Sequence, residues 1–115
     1  MRRSTLLALA MISGCTGALP TPILADHLGD EVKTVPTPPP PGKVEVVGPP
    51  PTQLKAPVWI DGEWEWNGRR WSWKDGRWEE PPKGICCWAP AITVRVSDGS
   101  LAHFPGQWKK EPATK

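Results

Sequence analysis

The chain has 115 residues, enough for one small domain, and an unusual composition: 16 Pro, 11 Gly, 8 Trp, one Phe and no Tyr. Its formal net charge is +2, and removal of a leader carrying Arg2 and Arg3 leaves 12 basic against 12 acidic side chains. That balance excludes the electrostatic case for binding nucleic acid or an anionic membrane surface.

In chain order, residues 1–14 read as a lipoprotein signal peptide. Met1-Arg2-Arg3-Ser4 is a short positive region, and Thr5 to Ile12 (TLLALAMI) is an apolar stretch too short to span a bilayer. It runs into Ile12-Ser13-Gly14-Cys15, which resembles a bacterial lipobox, with Cys15 as the residue that receives lipid. In the Gram-negative lipoproteins that this resembles, Thr16 rather than Asp after that cysteine favours the outer membrane. The alternative is ordinary cleavage near Ala25, in ILAD, which would release a soluble periplasmic or secreted protein.

Residues 15–56 read as a lipidated N-terminus and proline-rich tether, with Pro36, Pro38 to Pro41, Pro49 to Pro51 and Pro57. Proline fixes φ and removes a donor, so this segment is expected to be extended, in part as polyproline II. At roughly 3 Å per residue it could reach on the order of 100 Å. Lys43-Val44-Glu45-Val46-Val47, between the proline runs, reads as a short extended piece. Besides the spacer role there is a second one. Polyproline docks in aromatic grooves, so Pro38 to Pro41 could fold back onto exposed indoles and mask them until a partner competes.

Residues 57–108 read as an all-β domain. Within Trp59–Trp78 the tryptophans fall at 59, 64, 66, 71, 73 and 78, interleaved with Asp61-Gly62, Asn67-Gly68 and Asp75-Gly76. Such dipeptides are hairpin-turn signals, since type I′ turns need φ > 0 at both central positions. The spacing predicts an antiparallel meander of four strands, about 57–60, 63–66, 69–74 and 77–80. With two-residue loops, Trp59 faces Trp64, Trp64 faces Trp71, and Trp73 faces Trp78. All six indoles then share one side of the sheet, because strand side chains alternate. Glu65 is expected opposite Arg70. Loops of four residues would preserve that parity; odd loops or bulges would not. Helix is excluded, because gaps of five and two do not follow a 3.6-residue period.

After the loop Glu79 to Gly84, Ile85-Cys86-Cys87-Trp88-Ala89-Pro90 reads as a short strand. Ala91–Ser97 and Ser100–Phe104, joined at Asp98-Gly99, read as a second hairpin. A two-residue loop there puts Ile92, Val94, Val96, Leu101 and His103 on one face. Residues 109–115 read as a flexible tail.

A tryptophan buries on the order of 200 Å², so six on one bare face would far exceed the roughly 300–600 Å² of a typical largest apolar patch. The second hairpin or a partner must cover them. Trp66 and Trp78, near the sheet corners, are the candidates for exposure. With Cys15 lipidated, Cys86 and Cys87 form an even pair in an exported chain. A vicinal disulfide or structural thiol pair, intermolecular disulfides, and soft-metal or redox use stay open as readings. No Cys-x-x-Cys spacing or nearby His points to a metal. Neither His27 nor His103 has a nucleophile set against it, and Glu79-Glu80 reads as a solvated corner, so neither a catalytic residue nor a cofactor is expected.

Trp59-Ile60-Asp61-Gly62-Glu63-Trp64 and Trp73-Lys74-Asp75-Gly76-Arg77-Trp78 resemble the repeat of the small secreted bacterial WXXGXW proteins. Trp66 to Trp71 has its glycine one position early, and His103-Phe104-Pro105-Gly106-Gln107-Trp108 is a degenerate copy. The resemblance implies no catalytic activity. One branch of that family consists of lipoproteins encoded beside two-partner secretion systems for contact-dependent growth inhibition and thought to assist delivery; size, lipobox and repeat number are similar here. The expectation is a lipid-anchored outer-membrane accessory protein that binds another envelope or secreted protein through Trp59, Trp64, Trp66, Trp71, Trp73 and Trp78. The alternative is a glycan-binding module stacking those indoles on peptidoglycan or polysaccharide.

Overall fold

The structure is a computed structural model and describes residues 18–113. It is all-β. The strands are β1 (Ile23–Leu24), β2 (Lys33–Val35), β3 (Val58–Ile60), β4 (Glu63–Trp66), β5 (Trp71–Lys74), β6 (Arg77–Glu79), β7 (Cys87–Ala89), β8 (Ile92–Arg95), β9 (Leu101–Phe104) and β10 (Gln107–Lys109). They form four small sheets: β1-β7-β10, β2-β9-β8, β3-β6 and β4-β5.

The strands of the tryptophan segment lie close to their expected places, but their partners differ. β3 pairs with β6 and β4 with β5, both antiparallel, so Trp59 faces Trp78, Trp64 faces Trp73 and Trp66 faces Trp71. The segment is therefore one long hairpin, not a four-stranded meander. Its register runs unbroken through a gap in the ladder, where Asp61-Gly62 lies across from Asp75-Gly76. The reversal sits at Asn67 to Arg70. There the Asn67 N–H donates to the Arg70 carbonyl (3.1 Å), and Gly68 takes φ of 98°. The Asn67 side-chain oxygen accepts from the N–H groups of Arg69 (2.8 Å) and Arg70 (2.9 Å).

Asp61-Gly62 and Asp75-Gly76 fail as turns for a physical reason. A type I′ turn needs positive φ at both residues, and none of these four has it. Their glycines meet a different demand. A Cβ on Gly62 would fall 2.8 Å from the Lys74 carbonyl oxygen and inside the contact distance of the Trp73 ring. A Cβ on Gly76 would fall 2.6 Å from the Trp59 ring and 2.9 Å from the Ile60 carbonyl. Each indole lies over a bare backbone on the opposite strand. Glu65 consequently faces Ser72 and reaches Lys74 (3.7 Å), rather than Arg70.

The second half repeats this plan. β7 pairs with β10 and β8 with β9, again in one register across a gap at Pro90-Ala91 and Pro105-Gly106. Trp88 faces Trp108, and a Cβ on Gly106 would fall 2.6 Å from the Trp88 ring. Thr93 and His103 occupy the places of Trp64 and Trp73, and their side chains are hydrogen-bonded (2.8 Å). Ala91 stands where Gly62 does in the first hairpin, and the Trp73 place diagonal to it holds His103. The loop is longer by one: Val96 N–H donates to the Ser100 carbonyl (2.9 Å), leaving three residues in the turn, with Gly99 at φ 92°. That odd loop slips the pairing by one residue from the two-residue expectation and exchanges the faces. Leu101 and His103 lie with Thr93 and Arg95 and are buried, while Ile92 and Val94 lie with Ala102 and Phe104 on the other face and are exposed.

Residues 20–57 do more than span distance. β1 runs parallel to β7, and β2 pairs antiparallel with β9, so both close the edges of the second hairpin. The Trp59 N–H donates to the Pro20 carbonyl (2.8 Å). His27 stacks on Phe104 (5.1 Å), and Asp30 is bonded to both His27 and Lys109. The most buried side chains, Ile60, Cys87 and Ala89, lie on β3 and β7.

Gly62→Ala and Gly76→Ala should each lower stability by about 1–3 kcal/mol, the usual cost of overpacking, whereas Gly48→Ala, with open space around it, should be nearly neutral. Urea denaturation of the three variants checks this.

Candidate functional site

The indoles of the first hairpin form three edge-to-face pairs. The rings of Trp59 and Trp78 are 5.6 Å apart at 70°, those of Trp64 and Trp73 5.2 Å at 67°, and those of Trp66 and Trp71 5.2 Å at 64°. Five residues separate Trp59 from Trp64, which in an unbroken strand would send them to opposite faces. The ladder gap at Gly62 and Gly76 resets that alternation, and one stretch of chain meets indoles on both sides of it.

That stretch is residues 37–48, hereafter the strap. The Trp71 indole N–H donates to the Thr37 carbonyl (3.2 Å), the Trp64 N–H to the Pro41 carbonyl (3.1 Å), and the Trp78 N–H to the Gly48 carbonyl (3.0 Å). Lys43 places its ammonium 5.5 Å from the Trp64 ring and 5.9 Å from that of Trp73, within cation–π range. Glu45 reaches the ladder gap: its Oε1 accepts from the Gly62 N–H (2.9 Å) and its Oε2 from the Gly76 N–H (2.6 Å). One carboxylate thus satisfies the two backbone donors that the gap leaves out of the ladder. Its neighbours Val44 and Val46 point away, 100% and 94% exposed.

Trp59 is buried, while Trp64, Trp66, Trp71, Trp73 and Trp78 are half-buried. Trp66 and Trp78 fall in the same half-buried class as Trp64, Trp71 and Trp73, so the sheet corners are not set apart as exposed. The sequence marks Lys43 and Glu45 only as part of a short extended piece, with no role at the indole face. The available signal was the alternation Val44-Glu45-Val46, a lone carboxylate in an apolar run between proline clusters.

The second hairpin lies against the first through the same chemistry. The Gly106 N–H donates to Glu63 (3.2 Å), the Trp108 indole N–H to Glu79 (2.8 Å), and the Arg77 guanidinium sits 5.7 Å from the Trp88 ring. Burial pushes the Glu79 carboxyl up, but the Trp108 N–H and Arg77 outweigh it and hold the group below its ordinary value. His103 is buried, edge-on to Trp71 (4.9 Å), and desolvation lowers its pKa, with Lys33 adding to the effect.

Cys86 and Cys87 are joined as a vicinal disulfide, with Cys87 fully buried. Among the described residues, no group of three or more His, Cys, Asp or Glu side chains gathers as a metal set. Among the described residues, no helix is long and apolar enough to cross a membrane. Cys15 lies outside the described residues.

Residues 58–79 match the family model of the WXXGXW repeat, in two copies. On the structure these copies are the two arms of the first hairpin, and the first Trp of each lies over the Gly of the other. Searches of curated proteins and of solved structures find no match to the chain.

A histidine with a lowered folded-state pKa contributes stability that is fully present above its unfolded pKa and is lost as pH falls below it. Stability should therefore decline on acidification below about 6.5, the ordinary histidine value. His103→Gln should flatten that part of the profile, as measured by urea midpoints between pH 8 and the onset of carboxyl protonation, about pH 4.5.

Proposed function

We propose that the protein is a lipid-anchored envelope accessory module that binds another envelope or secreted protein through its indole face. The observation that carries this reading is the strap: an extended, proline-rich segment held on the face by indole N–H groups and glycine amides. A surface that holds one extended polypeptide has the chemistry to hold another. The lipobox at Cys15 supplies the anchor, and the resemblance to lipoproteins of two-partner secretion loci supports contact-dependent growth inhibition as the setting.

The glycan alternative draws less support. Stacking on sugar rings calls for coplanar exposed indoles, whereas these cross at 64–70° and four of their N–H groups are engaged.

Mass spectrometry of the mature N-terminus should find Cys15 acylated, and Cys15→Ala should abolish the modification and release the chain from the membrane fraction. An unmodified chain beginning near Asp26 would instead support the soluble form. In parallel, immobilised cell-wall glycan should retain none of the protein, while the tagged protein should recover a secretion component. Retention on glycan would reverse the two readings.

A further inference from the structure

The strap is bound in a way that specifies a ligand. Three of its holds are backbone carbonyls, at Thr37, Pro41 and Gly48, each accepting from an indole N–H. Carbonyls are common to every residue, so these holds select an extended path and not a sequence. Proline serves at such positions because its carbonyl remains and its fixed φ lowers the ordering cost. One hold demands a side chain: the Glu45 carboxylate across the Gly62 and Gly76 N–H groups. The valines that flank it reach no pocket.

Residues 37–48 carry no strand, and the chain on either side is tied down by β2, ending at Val35, and β3, beginning at Val58. The strap could leave without opening a sheet. What it would leave behind is two glycine donors facing a crowd of indoles. Gly62 and Gly76 are half-buried even under the strap, so water meets their N–H groups once it leaves, and a replacement that brings a carboxylate to the same point regains the charge-assisted hydrogen bonds that Glu45 makes there.

We propose that the indole face is a receptor for an extended, proline-flanked acidic segment of a partner polypeptide, seated with its carboxylate on the Gly62 and Gly76 amides, and that the strap is the resident occupant which such a segment displaces. This rests on the protein-binding reading above and adds the partner's chemistry and register: one carboxylate, with engaged carbonyls four residues before it and three after.

The test uses the full chain and two synthetic peptides. One has the sequence of residues 35–50; the other replaces its single Glu by Gln. With the chain carrying Glu45→Gln, the Glu peptide should shift the Gly62 and Gly76 amide resonances and bind at least about tenfold more tightly than its Gln twin, the range of a charge-assisted hydrogen bond. Unmodified chain should bind the Glu peptide more weakly than the variant does. Should the variant not fold, excess Glu peptide added to the unmodified chain should shift the resonances of Lys43 and Glu45 as the strap leaves the indoles and the glycine amides, and the Gln peptide should not. Equal affinity for the two peptides, or unmoved glycine resonances at saturation, overturns the proposal. So does a concentration-dependent dimer of the variant, which would make a second copy's strap the occupant. Recovery of a partner that leaves the glycine resonances unmoved would overturn this inference and leave the accessory role standing. Peptide binding by a chain that is not acylated would do the reverse.

Discussion

The structure depends on an indole lying over a glycine. At the ladder gap of the first hairpin, Trp59 covers Gly76 and Trp73 covers Gly62, at distances that leave no room for a methyl group. The arrangement is reciprocal, because the two copies of the repeat run antiparallel in a symmetric register. Each covering ring is then met edge-on by the last tryptophan of the other copy, a contact worth about 0.5–1.5 kcal/mol beyond the area it buries. The spacing of the motif follows. The first Trp covers, the Gly is covered, and the second Trp closes the side of the partner's first. A two-stranded hairpin alone is marginal in water, and this interlock gives it a dense face without a large core.

The same interlock explains how the chain stacks. Breaking the ladder leaves glycine N–H groups without strand partners, and each such group needs an acceptor from outside its own hairpin. In the second hairpin the Gly106 N–H takes Glu63 of the first, and the Trp108 indole N–H takes Glu79. The first takes Glu45 from the strap. Carboxylates therefore act as connectors between layers, in the order strap, first hairpin, second hairpin. Beyond Phe104 and the exposed Ile92 and Val94 of β8 the series stops, and His27 stacks on Phe104 there. The places of Glu63 and Glu65 there are taken by Ile92 and Val94, which offer no acceptor for a further glycine amide.

The fold class and the four strand positions of the tryptophan segment were legible, because turn dipeptides and tryptophan spacing both mark the places where the ladder is interrupted. The pairing was not. Asp-Gly between strands signals a turn when glycine is needed for positive φ, and signals a gap when it is needed for a missing Cβ; single-sequence reading assigns both to the same dipeptide. The slip in the second hairpin has a similar source, since Asp98-Gly99 fits a two-residue loop as well as the three-residue loop observed. The strap was the least legible element. Proline density argues against sheet, and correctly so for residues 37–48, yet it says nothing against docking. The acceptors that dock them are carbonyls, which every sequence has.

The strap's placement also bears on why a small domain would carry an excess of tryptophan. Indole combines a broad apolar ring with a single donor, so it can line a face and still grip a passing backbone. Phenylalanine at Trp64, Trp71 or Trp78 would keep most of the ring packing and lose the grip. Tyrosine would place its hydroxyl at the end of a narrower ring, away from the flank where the indole N–H sits. The schedule of tryptophans thus meets two demands at once. Positions 59 and 73 cover glycines from across the hairpin, while 64, 71 and 78 present donors along a line that an extended chain can follow. Packing alone requires the first set. The second set packs edge-on as well, but its N–H donors are called for by the segment that lies there, whose carbonyls they hold.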